Sequence, residues 1–92
     1  MNERVKHILS KAIAKWGVDA QTNLAIEEMG ELIVAINHYR RGRVGIDAVQ
    51  EEIADVLIAM YQMAMMYGAN GVEDIFNQKI ERLERRLENE NK

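Results

Sequence analysis

Cysteine and proline are both absent from this sequence, and aromatic residues make up only 5% of it. Without cysteine there is no disulfide framework and no thiolate metal site, which fits a reducing, cytoplasmic setting. The N-terminus does not join a basic stretch to an apolar run and a cleavage site, so no secretory signal is expected. Net positive charge is lacking as well. Twelve Lys and Arg stand against fifteen Asp and Glu, for a net charge of -3, which argues against nucleic acid as the main partner. What the 92 residues hold instead is aliphatic: 48% are hydrophobic, chiefly Ala, Ile, Leu, Val and Met. With no proline to interrupt it, such a composition implies helix. The expected class is all-α, with one domain spanning residues 1–92.

Glycine supplies the punctuation. Gly17, Gly42 and Gly68 each follow an apolar-periodic stretch, where a helix ends in a left-handed residue. Asp19, Asp47 and Asn70 come soon after these breaks and read as N-caps. Two of them have a capping-box partner three residues on, Gln50 and Glu73. Four helices are therefore expected over residues 3–16, 20–40, 47–67 and 71–89. The first is ordinarily amphipathic, with Val5, Ile8, Leu9, Ala12, Ile13 and Trp16 on one face. In the fourth, Phe76, Ile80, Leu83 and Leu87 form a coiled-coil-like seam, and the polar end from Glu88 to Lys92 should fray.

The second and third helices are apolar nearly all round. From Leu24 to Ile36 only Glu27, Glu28 and Glu31 are charged; from Ile53 to Tyr67 only Asp55 and Gln62 are polar apart from tyrosine hydroxyls. These charges, within short apolar runs, rule out a membrane span. A chain this small cannot hide two such helices alone. Burial between subunits follows, as a homodimer or homotetramer, with the third helix and Met60, Met63 and Tyr67 at the contact.

The acids within these helices are paired. Glu28 and Glu31 are three residues apart, as are Glu52 and Asp55, which puts each pair on one helical face. A short loop between the helices makes them antiparallel, so four carboxylates converge. Two like charges about 5 Å apart repel by roughly 3 kcal/mol at an effective dielectric near 20. Protonation or a cation must relieve that. Oxygen-only ligands favour a hard ion, Mg²⁺ or Mn²⁺, and Mg²⁺ held this way usually serves a phosphate-bearing substrate. A di-iron centre would need Glu-x-x-His pairs, and neither His7 nor His38 follows a Glu at that spacing.

The run Glu27-Glu28-Met29-Gly30-Glu31-Leu32, followed by Glu51-Glu52-Ile53-Ala54-Asp55-Val56-Leu57, resembles the MazG-like nucleoside triphosphate pyrophosphohydrolases, whose signature is EExxE and then ExxD on the next helix. The resemblance is strongest over residues 21–67. It implies Mg²⁺-dependent cleavage between the α- and β-phosphates, releasing pyrophosphate and a nucleoside monophosphate. It also implies that Glu28, Glu31, Glu52 and Asp55 are metal ligands and that Glu27 orients or deprotonates the attacking water. Lys79, with Arg82 beside it, matches the place from which the family's fourth helix reaches the phosphates, and Trp16 and Gln21 fall where the family contacts the base.

Several of these residues keep two readings. Trp16 packs in the core or stacks on a nucleobase; Asn23 binds base or sugar, or simply sits in a first helical turn. Arg40, Arg41 and Arg43 attract triphosphate or offset a helix C-terminus. Arg85 and Arg86 read as partners of Glu81, Glu84 or Glu88, and the methionines as adaptable packing. Two further functions stay open beside the triphosphate enzyme. One is phosphoribosyl-ATP pyrophosphohydrolase, and the other a non-catalytic helical oligomerisation or regulatory module.

Overall fold

The computed structural model describes residues 1–90. Their regular structure is all α-helix: α1 (Glu3–Trp16), α2 (Val18–Arg40), α3 (Ile46–Tyr67) and α4 (Ala69–Glu90). The expected boundaries lie within two residues of these. Asn2 starts α1, its Oδ1 accepting a hydrogen bond from the Val5 N–H at 2.9 Å. Gly17 ends α1, donating its N–H to the Ile13 carbonyl at 2.8 Å, and also opens α2. Gly17, Gly42 and Gly68 all have positive φ, at 91°, 74° and 115°, where a Cβ would be strained.

The N-caps need correction. Asp19, Asp47 and Asn70 lie inside their helices rather than before them, and the caps of α2 and α3 are Gly17 and Gly45 without a side-chain bond. Each glycine turn lets the chain re-enter helix sooner than a side-chain cap would. Asp19 and Asp47 then act on the helix dipole from the first turn instead. In α4 the ion pair also differs from expectation: Arg86 Nε meets Glu90 Oε1 at 3.0 Å, the favourable i,i+4 spacing. The end expected to fray is helical through Glu90, and residues 91–92 lie outside the described residues.

The α2–α3 hairpin is the centre of the fold, α1 packs on both of its helices, and α4 touches α3 alone. Thr22 Oγ1 and the Tyr67 hydroxyl, 2.9 Å apart, tie the start of α2 to the end of α3 and fix their antiparallel register. The buried apolar residues are few: Leu9, Ala25, Val49 and Ala59. α4 buries none, and Phe76, Ile80, Leu83 and Leu87 all remain exposed.

A single chain leaves this fold open. Its radius of gyration is 16.4 Å, against about 12 Å for a compact domain of this length. Its accessible surface is 7365 Å², where a compact monomer of this mass would show roughly 5,500 Å². Ile26, Ile33, Val34, Leu57 and Ile58 all contribute to that excess. No helix among the described residues is long and apolar enough to cross a membrane.

Candidate active site

The register of the hairpin sets out the site. One seam of α2 steps through Gln21, Leu24, Glu28 and Glu31; the facing seam of α3 steps back through Gln62, Ala59, Asp55 and Glu52. Both step by three, four and three residues. Acids therefore meet acids in the middle of the hairpin, and amides meet amides one heptad further toward the Thr22–Tyr67 end.

Glu28, Glu31 and Glu52 come together most closely, each offering a carboxylate oxygen within 4.8 Å of the other two. Asp55 is outside that tight group, yet it lies near enough to act electrostatically on both Glu28 and Glu52. Glu28, Glu52 and Asp55 are half-buried, whereas Glu27 and Glu31 are exposed. One oxygen of Glu28 and one of Glu52 are enclosed without any hydrogen-bond partner. Lost solvation is the first cause that raises the Glu28 carboxyl above its ordinary 4.5, followed by the charges of Glu31, Asp55, Glu52 and Glu27. The same holds at Glu52, where lost solvation leads and Glu31, Asp55 and Glu51 add to it, together with a carboxyl–carboxylate contact to Glu31. Among the described residues no cationic side chain relieves either group.

These residues fit a divalent ion. Oxygens sharing one Mg²⁺ at 2.0–2.1 Å lie at most about 4.2 Å apart, a small side-chain adjustment from the spacing present. The ion would supply the partner that the enclosed oxygens of Glu28 and Glu52 lack. The donor set is oxygen alone, which selects a hard cation.

A cavity of about 630 Å³, walled by Leu9, Ala12, Leu24 and Ile58, reaches the acidic run of α2 at Glu27. Trp16, Gln21, Asn23 and Glu27 also line it, so three of the expected substrate contacts share one cavity with the expected water-orienting acid. Its volume falls within the usual ~300–1,000 Å³ of small-molecule sites. Trp16 is 59% exposed in the single chain. Lys79 and Arg82 do not join this site. Lys79 lines a smaller cavity with Val72, Ile75 and Phe76, and neither cation pairs with an acid of the cluster.

Sequence reasoning overlooked Gln62. The signal was present, since it is the one amide in the apolar run of α3, but no motif spacing linked it to Gln21. Only the hairpin register does so.

Among known proteins, no curated protein and no solved structure matches this chain significantly. Residues 18–90, spanning α2 to α4, match the MazG nucleotide pyrophosphohydrolase domain. That match takes in both acidic pairs and well over half the sequence, and the chain belongs to the MazG nucleotide pyrophosphohydrolase domain family.

Proposed function

We propose that residues 1–92 form one domain that hydrolyses nucleoside or deoxynucleoside triphosphates to a nucleoside monophosphate and pyrophosphate. One observation carries this reading: carboxylate oxygens enclosed without partners share the α2–α3 hairpin with a cavity of nucleoside size that Glu27 lines, in a chain of a nucleotide pyrophosphohydrolase family. Glu28, Glu31, Glu52 and Asp55 would hold Mg²⁺ or Mn²⁺. The ion supplies positive charge for the phosphate oxygens and makes a water more acidic. Glu27 stands at the cavity wall next to Glu28 in sequence. There it orients the attacking water and accepts its proton on a carboxylate oxygen. Attack at the α-phosphorus breaks the α–β anhydride. Trp16, Gln21 and Asn23 hold the base and sugar; Lys79 and Arg82, apart from this site within one chain, would bring charge to the phosphates across the subunit contact.

The test is a product analysis. The eight common NTPs and dNTPs, together with phosphoribosyl-ATP, are incubated with the protein in Mg²⁺ or Mn²⁺. Pyrophosphate and monophosphate are expected in equal amounts, with neither diphosphate nor free phosphate accumulating. Turnover of phosphoribosyl-ATP alone would reassign the substrate. No pyrophosphate from any of them would leave an oligomerisation or regulatory module as the better reading.

Assembly belongs to the same proposal. The surface excess of roughly 1,900 Å² over a compact monomer is what an obligate subunit contact would cover. A homodimer or homotetramer is expected, burying the apolar faces of α2, α3 and α4. Sedimentation at micromolar concentration should give two or four chains, and a stable monomer would contradict it.

A further inference from the structure

Two polar side chains in the cavity have no role in metal binding and no hydrogen-bond partner among the described residues. Gln21 is 6% exposed and Gln62 5%. Among the described residues the side-chain hydrogen bonds are Asn2 with Val5, Thr22 with Tyr67 and Arg86 with Glu90, so neither carboxamide is paired. Among the described residues, the polar side-chain atoms enclosed without partners belong to Glu28 and Glu52. The amide atoms of Gln21 and Gln62 therefore keep access to the cavity that both residues line. Water can serve these amides while the open cavity is empty, but a ligand that displaces it must bond them in its place or leave them unpaired at a cost. Two such amides facing one cavity point to a ligand that bonds them.

Position says which part of a ligand this is. Gln21 precedes Glu28 by one heptad on α2, and Gln62 follows Asp55 by one heptad on α3. Seven residues of helix rise by about 10 Å. A nucleotide whose phosphates meet the acids would put its base near the amides. Leu24 and Ile58 offer flat apolar contact there. Trp16 offers a ring face: Lys15 lies 5.4 Å from the ring centroid and lines the neighbouring cavity, not this one. A carboxamide donates from Nε2 and accepts at Oε1, so it matches a neutral base edge that carries one donor beside one acceptor.

We propose that Gln62 joins Gln21, already placed at the base above, and that the two carboxamides together read the hydrogen-bonding edge of the substrate's base and so set base selectivity. This rests on the triphosphate reading above. Gln62 is then a specificity residue on α3, and the substrate class narrows to nucleotides with an unblocked, uncharged base edge.

The test is binding of α,β-methylene triphosphates of the four bases, in Mg²⁺, with inorganic tripolyphosphate as the probe lacking a base. In the wild-type protein, the side-chain amide NMR signals of Gln21 and Gln62 should shift with the best-bound nucleotide and not with tripolyphosphate. Gln62→Leu and Gln21→Leu should each weaken that nucleotide at least ~10-fold, while tripolyphosphate affinity changes less than about twofold. Gln62→Glu, which can only accept when ionised, should move the ranking toward guanine with its two adjacent donors. Unmoved amide signals, or leucine variants that keep the wild-type ranking and affinity, would overturn the proposal while leaving the enzyme reading intact. If neither the nucleotides nor tripolyphosphate bind at all, the triphosphate reading fails and takes the glutamine pair with it.

Discussion

Glu28→Gln and Asp55→Asn are each expected to lower turnover at least ~100-fold while leaving the fold unchanged. Each exchange removes one ligand charge with little change in volume. At Glu28 the amide also resembles the protonated carboxyl that lost solvation and neighbouring acids already favour. The metal-free variant should therefore melt no lower than the wild type. Lys79→Ala should act more mildly and mainly on KM, since Lys79 lines a cavity apart from the acids. Steady-state kinetics beside circular dichroism decides this. If both acid variants keep wild-type kcat, the cluster is not catalytic.

The second large effect is on stability. Glu28 and Glu52 both hold their protons more tightly in the folded chain than the ordinary 4.5 allows. The stabilisation this gives is complete below that ordinary value and is lost as pH rises through the raised folded-state values. Metal-free protein should thus melt at lower temperature as pH climbs through that window. A divalent ion supplies the missing positive charge at neutral pH. At a hundredfold excess over Kd, Mg²⁺ or Mn²⁺ stabilises by about 2.7 kcal/mol, which raises Tm by roughly 10–20 °C in a chain this small. Glu52→Gln should reduce that rise and flatten the pH dependence. Should millimolar Mg²⁺ and Mn²⁺ leave both Tm and the backbone amide NMR shifts unchanged, there is no metal site.

The helices and their order were legible in the sequence because glycine marks each break and the apolar residues repeat at helical period. The N-caps were not. Asp19 and Asp47 carry the right chemistry, but Gly17 and Gly45 take the cap position two residues earlier. The acids could be placed because i,i+3 spacing needs no knowledge of tertiary structure. Which of them approach most closely depends on how α2 and α3 are rotated, and that brings Glu31 rather than Asp55 into the tight group. Gln62 was invisible for the same reason. Its partner Gln21 lies 41 positions away in the chain, and only an antiparallel register fixed at Thr22 and Tyr67 sets them opposite. Trp16 shows the limit of composition: it closes an amphipathic helix, as a core tryptophan would, and it also lines the cavity.

The central claim is that water attacks the α-phosphorus of a triphosphate held between the acids and the cavity. Turnover in ¹⁸O-labelled water tests it directly, with mass spectrometry of both products. One label in the nucleoside monophosphate and none in pyrophosphate is the expected result. Label in pyrophosphate would place the attack at the β-phosphorus and contradict it.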